Sequence, residues 1–347
     1  MMADYLLALW FFIIGIHLTL FYLNFSENNI TTPYLLGLEI PLPLIHGPML
    51  YVYVLTLTQQ NNRRYLRILH FIPPLVVYLI LWDFYLLSTK DKILIYHNGG
   101  MRYQNIRENI NILIYISGIT YIILSIRSLK KYKDSIAKQY SNIERINLNW
   151  VYYLIFGIAV IWILVILKDD RITFTSVVIF ILLAAYFGIT KAGILNLPEP
   201  KIKDTEKDDT TPPNENQQIK YQKSILNEAS IQEIYTRLTS KMQSEQLFKD
   251  PEINLATLAG SIEVHPNTLS QVINTIEDKN FYDYINIQRI EEFKRIAILP
   301  ENQKFTILSL AFECGFNSKT AFNRNFKKYM NCSPRDFLKE QNLEIGG

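Results

Sequence analysis

Apolar positions follow two different patterns along the 347-residue chain. Up to about residue 190 they form long continuous runs, and beyond residue 224 they recur every three or four positions between polar residues. The runs fall at 5–23, 34–58, 65–87, 109–126, 150–167 and 172–190. Each approaches or exceeds the ~20 residues with which a helix crosses ~30 Å of hydrocarbon. They predict an all-α chain: about six membrane spans, followed by a soluble helical part. The first run, Tyr5 to Leu23, follows no basic segment, is too long for a secretory leader and is not succeeded by a small-residue cleavage site. It reads as a first span.

The second run contains Gly37, Pro41, Pro43, Gly47 and Pro48, which predicts a bent or broken helix. Backbone groups freed at membrane depth need protein or water partners, so a cavity is expected beside it. His17, Glu39, His46 and Asp83 are the candidate lining of a ligand pocket there, because ionisable residues within spans mark functional sites by default. The plainer alternative is that the carboxylates snorkel from span ends while the histidines bond neighbouring helices. Trp10, Tyr51, Tyr53, Trp82, Tyr152 and Tyr153 fit interface and packing positions.

Charge separates the two halves further. Residues 1–190 hold 15 Lys/Arg and 10 Asp/Glu, whereas 191–347 hold 20 and 22. That contrast excludes a uniform soluble enzyme and a wholly disordered chain. Basic residues in alternate short loops total nine on one side and six on the other, the richest loop being 127–149. The positive-inside rule then places both termini in the cytoplasm of a multi-pass protein of the inner membrane. Cys314 and Cys332 suggest neither a disulfide framework nor a metal site, and no cofactor motif is present.

Three segments follow: a polytopic membrane domain at 1–190, a linker at 191–223 and a soluble domain at 224–347. The linker carries Pro198, Pro200, Pro212 and Pro213 among many charges. In the soluble part, Ser230 and Glu233 form a capping-box pattern ahead of Ile231, Ile234, Tyr235, Leu238 and Met242. Two similar units come next. In 253–276 a short helix leads through a turn to Pro266, suited to a first helical position. Leu269, Val272, Ile273 and Ile276 point inward there, leaving Asn267, Thr268, Gln271 and Asn274 outside. In 305–330 Gly315 supplies a tight turn, Asn317 or Ser318 caps the next helix, and Phe322, Phe326 and Tyr329 face the core. Lys319, Thr320, Asn323, Arg324 and Lys327 lie on the exposed side, with Lys328 beside them.

A polar, cationic second helix is the arrangement that enters a major groove. Against the alternative of an ordinary solvated helix stands the locality of the charge. Residues 224–347 hold 14 Lys/Arg and 16 Asp/Glu, yet 315–339 carry Lys319, Arg324, Lys327, Lys328, Arg335 and Lys339 against Asp336 alone. A basic patch on an acidic domain is an electrostatic footprint for phosphate. The first unit's second helix, Pro266 to Ile276, has no Lys or Arg. Between the units, Phe281 to Ile298 predicts an 18-residue helix about 27 Å long. Such a spacer sets the two second helices close to one DNA turn, ~34 Å, apart.

The stretch AFECGFNSKTAFNRNFKKYMNCSPRDF resembles the carboxy-terminal signature of the AraC/XylS transcription factors. The likeness rests on Ala311, Gly315-Phe316, Phe322, Arg324, Phe326-Lys327-Lys328, Ser333-Pro334 and Phe337, with NTLSQVIN and FYDYINIQRIEEFKRI upstream, and covers about 247–340. Asp278 and Asn331 stand where that family commonly has glycine, and both tolerate a left-handed conformation. The resemblance implies two helix-turn-helix motifs and sequence-specific binding of promoter DNA. With the spans, it implies a membrane-anchored one-component regulator rather than an enzyme, the membrane half acting as sensor. The alternatives are a carrier, or a constitutive tether, with a DNA-binding tail. Expected partners are double-stranded DNA, the lipid bilayer, a small-molecule or membrane signal, RNA polymerase and a second copy of the chain.

Overall fold

The computed structural model describes residues 2–25, 32–60, 64–98, 100–144, 146–167, 170–191 and 227–341. Among them the secondary structure is helical, apart from one antiparallel bridge between Tyr140 and Asn254. Two compact units are formed: Met1–Tyr132 with Leu148–Pro198, and Lys133–Asn147 with Glu199–Gly347. The expected linker, 191–223, lies beyond Lys191 outside the described residues.

The first unit is built from α1 (Met2–Phe25), α2 (Pro43–Leu57), α3 (Ile72–Ile80), α4 (Trp82–Tyr85), α5 (Thr89–His97), α6 (Gln104–Ala137), α7 (Trp150–Leu167) and α8 (Asp170–Lys191). Four stretches among the described residues are long and apolar enough to cross a membrane: Met2–Leu23, Met101–Ala137, Trp150–Leu167 and Arg171–Thr190. The runs at 34–58 and 65–87 instead give shorter apolar helices, Pro43–Leu57 and Leu66–Ile80. Proline is the physical reason. Residues 36–42 run as turns, with Gly37 at φ +85°, until Pro43 opens α2. Pro73 and Pro74 occupy the first turn of α3, where a missing N–H breaks no ladder. The freed carbonyls find protein partners, as an apolar setting demands: Tyr85 donates to the Gly37 carbonyl at 3.0 Å and Tyr78 to that of Leu38 at 2.9 Å. A Cβ at Gly118 of α6 would lie 2.6 Å from the Trp162 ring of α7, so only glycine admits this approach. Facing outward, Phe12, Ile119, Phe156 and Leu182 are each more than half exposed.

In the second unit α9 (Glu228–Glu245), α10 (Leu255–Ser261), α11 (Pro266–Glu277), α12 (Phe281–Ala297), α13 (Ile307–Glu313), α14 (Lys319–Met330) and α15 (Pro334–Glu340) surround two adjoining cores. The first core gathers Leu238, Leu258, Leu269, Val272 and Ile273. The second gathers Leu310, Ala311, Phe316, Phe322 and Phe326. Helix α12 belongs to both, contributing Phe281, Tyr284 and Ile285 to one and Ile290, Phe293, Ile296 and Ala297 to the other. Its 17 residues replace the 18 expected.

Local details both follow and depart from the sequence pattern. Asn227, not Ser230, caps α9, its side chain accepting from the Ser230 N–H at 2.7 Å. An equally good capping residue lies one turn earlier, which places Ser230 inside the helix. Ile276, expected to point inward, is 37 % exposed in the last turn of α11. Asp278 and Asn331 take the left-handed conformation, at φ 52° and 56°.

Between the cores lies the Arg289 guanidinium, 2 % exposed. Its Nε donates to the Phe248 carbonyl at 2.7 Å and its Nη2 to that of Asp250 at 2.8 Å. Burial lowers its pKa to about 10, which leaves it charged at neutral pH. Gly315, at φ +93°, presses on the same turn, where a Cβ would meet the Phe248 carbonyl oxygen at 2.6 Å. Glu292 fastens the turn from α12, pairing with Lys249 at 2.8 Å and Arg295 at 2.7 Å.

Two glycines separate strain from propensity. Gly315→Ala should cost about 1–3 kcal/mol through its left-handed backbone and blocked Cβ. Gly260→Ala in α10, with nothing within 4 Å of the added methyl, should gain about 0.5–1 kcal/mol. Native-state hydrogen exchange at α12 amides reads both. Hydrogen bonds from Arg295, and then from Lys249, hold the Glu292 carboxyl at about 2 against its burial, below the ordinary 4.5. That contribution to stability is fully present above pH 4.5 and is lost as pH falls toward 2. Glu292→Gln should therefore flatten the acid limb of the same exchange profile.

Candidate nucleic-acid interface

Two helices carry the residues expected to read DNA. On α11, His265 caps the first turn by accepting from the Asn267 N–H at 3.2 Å, and Pro266 follows at the first helical position. Leu269, Val272 and Ile273 are buried, while Asn267, Gln271 and Asn274 are exposed and Thr268 half-buried. This face is polar and uncharged, and its spacing of three and four residues makes it one stripe.

On α14 the hydroxyl of Ser318 accepts from the Ala321 N–H at 3.1 Å. Ala321, Phe322, Asn325 and Phe326 are buried, and Lys319, Thr320, Asn323, Arg324 and Lys327 are exposed. The Phe322 ring packs on Phe293 with centroids 4.7 Å apart, which orients the helix on α12. Lys319 and Lys327 form no ion pair among the described residues. Two other cations of the helix are engaged: Lys328 pairs with Asp283 at 2.7 Å, and Arg324 pairs with Glu144 at 2.6 Å while donating to the Tyr282 hydroxyl at 2.6 Å.

Sequence reasoning missed these anchoring groups. Asn325, 1 % exposed, donates to the Tyr282 hydroxyl at 2.7 Å and to the Ala321 carbonyl at 3.0 Å. A tyrosine at the start of α12 thereby joins the spacer helix to α14. Its pattern position, next to Phe281 at a helix start, was the only available signal. Glu144 gave none, since it sits in a loop of the first half that contributed only to the charge count.

In the first unit the four candidate pocket residues fall into different settings. His17 Nδ1 and His46 Nε2 are 2.9 Å apart, and the Trp10 indole donates to His46 Nδ1 at 3.3 Å. Asp83 is exposed, its carboxylate accepting from the Tyr103 hydroxyl at 2.9 Å and from the Phe84 N–H at 2.8 Å. Glu39 is half-buried on the turn segment before α2. The structure thus joins the two histidines and gives Asp83 partners of its own. Among the described residues no group of three or more His, Cys, Asp or Glu has the arrangement of a metal site.

A short helix, a tight glycine turn and a capped helix with an exposed cationic face constitute a helix-turn-helix DNA-binding domain. Consistent with this geometry, residues 258–340 match a helix-turn-helix domain family, of AraC type, which supports a transcription regulator's DNA-binding domain. Neither characterised proteins nor solved structures yield a match to the chain.

Substitutions on α14 should separate phosphate contact from base contact. Lys327→Ala should weaken binding evenly across sequences and flatten the dependence of log affinity on log salt by about one. Asn323→Ala should instead cost about 1–3 kcal/mol at a single base position and leave the salt slope intact. Titration of operator variants at several salt concentrations distinguishes the two outcomes.

Proposed function

We propose that the chain is a membrane-embedded one-component transcriptional regulator, with both helix pairs acting as helix-turn-helix units on one promoter. The observation that carries this reading is the coexistence of the 258–340 domain, with its exposed cationic α14, and four stretches long enough to cross a bilayer. Large apolar side chains on the outward faces of α1, α6, α7 and α8 support a lipid surrounding, since contiguous exposed apolar surface is costly in water. The positive loops support cytoplasmic termini, where DNA is accessible. Under this reading 1–190 is the membrane domain and sensor, 191–223 the tether and 224–347 the reader.

The two units divide the work. α14 supplies cations for phosphate as well as polar groups for base edges. α11, without a cation, supplies base-edge contacts through Asn267, Thr268, Gln271 and Asn274. Both helices pack on the single spacer α12, so one chain spans two successive major grooves on one side of the duplex. Half-sites read by such different faces have different sequences, and the operator is not a palindrome.

Promoter fragments cross-linked to the chain in cells and footprinted with the full chain in lipid nanodiscs test this reading. The expected result is two protected segments about one helical turn apart. Protection of one segment only would remove the second reading unit, and failure to bind any fragment would remove the regulatory function. A reporter fused after Gly347 should be active only as a cytosolic type.

A further inference from the structure

The second unit contains a segment that precedes its other helices by more than eighty residues. Lys133–Asn147, the last turn of α6 with the loop that leads toward α7, belongs to the same compact unit as α9 to α15. Residues 139–144 lie against that unit as a short extended strap. The Leu255 N–H donates to the Gln139 carbonyl at 2.9 Å, and Tyr140 forms the antiparallel bridge with Asn254. Ser141, 2 % exposed, is held on all sides. Its hydroxyl donates to the Ile253 carbonyl at 2.7 Å and accepts from Arg289 Nη2 at 3.2 Å, while its carbonyl accepts from the buried Asn286 side chain at 3.1 Å. Three residues on, Glu144 reaches Arg324 at 2.6 Å. Ser141, Asn142 and Glu144 line a cleft together with Tyr282, Asn286, Asn317 and Ala321, the last in the first turn of α14.

The strap therefore places a carboxylate on the cationic face that DNA must occupy. Glu144 and a phosphate oxygen are both anionic acceptors, and Arg324 is already tied to Tyr282, so a bidentate grip on DNA requires Glu144 to leave. We infer that residues 139–144 are an autoinhibitory strap, in which Glu144 competes with the DNA backbone for Arg324 and Ser141 holds the strap in its dock. This rests on the DNA-binding reading above and deepens it. It gives the α6–α7 connection a route to the reading helix that bypasses the 191–223 linker. A rearrangement of α6 against α7 that draws the strap out frees Arg324. By linkage, DNA must loosen the strap by the factor with which the docked strap weakens DNA binding.

Glu144→Gln removes the charge while keeping the shape, at a half-buried position that is no part of either core. The full-length variant in nanodiscs should bind both the footprinted fragment and a short mixed-sequence duplex about two- to fivefold more tightly than the parent, the range expected for one partly exposed ion pair. On the parent chain, adding duplex should speed hydrogen exchange at the Leu255 amide, whose acceptor is in the strap. Unchanged or weaker binding by E144Q would overturn the inference, as would a Leu255 amide whose exchange is unmoved or slowed by DNA. A parent chain that binds no duplex would instead refute the DNA-binding reading itself.

Discussion

A single buried guanidinium holds the second unit together. Arg289 is charged and almost wholly out of water, and no carboxylate among the described residues hydrogen-bonds to it. Its donors go to the Phe248 and Asp250 carbonyls and to the Ser141 hydroxyl. Stranding such a charge without acceptors costs several kcal/mol even after relaxation, so the domain keeps the Phe248 and Asp250 carbonyls in place, and while the strap is docked the Ser141 hydroxyl joins them. The turn after α9, the strap and the middle of α12 are thereby fixed to one point. Gly315 closes on the same turn beside Arg289 because it has no Cβ, which would meet the Phe248 carbonyl oxygen at 2.6 Å and Arg289 Nε at 2.9 Å. The spacing of α11 and α14 follows from that arrangement.

Around α14, electrostatics works by subtraction. The six cations between 315 and 339 would make an undifferentiated basic surface if all were free. Asp283 holds Lys328 to the α12 side, and Glu144 with Tyr282 holds Arg324. Lys319 and Lys327 are left projecting, with Asn323 between them along the helix. A carboxylate that pins a neighbouring cation costs some attraction for phosphate but defines the geometry of what remains. Cations held by partners and cations left projecting thus lie side by side on one helix.

Much of this domain was legible in the sequence because its signals are local. The alternation of Phe322 and Phe326 with exposed polar positions, the Ser318 cap, and Asp278 and Asn331 as left-handed terminators all depend on a few neighbouring residues. Where two local solutions competed, the pattern misled. Asn227 outranked Ser230 as a cap. In 34–58 the prolines predicted a broken helix, and α2 opens at Pro43. Contacts between residues more than a hundred positions apart left no trace in periodicity. Nothing in SNIE predicts that Ser141 meets Ile253 and Asn286, or that Glu144 meets Arg324. Arg289 was equally hidden, because an arginine amid polar helix residues looks solvated until its carbonyl partners are known. In the first unit the Trp10–His46–His17 chain needed the relative rotation of two helices, which composition does not carry.

The sharing of α12 between two cores bears on how the domain is lost as well as how it is built. Phe281, Tyr284 and Ile285 serve one core and Ile290, Phe293 and Ile296 the other, on consecutive turns of a helix with no glycine or proline between them. Neither half can melt without fraying the helix that supports its neighbour, so the two open as one cooperative body. A protease that samples transient openings then meets an intact domain or a fully open one, with few half-digested forms between. Damage to either core by mutation is thereby felt by the whole domain, and no fragment keeps one core intact while the other is lost.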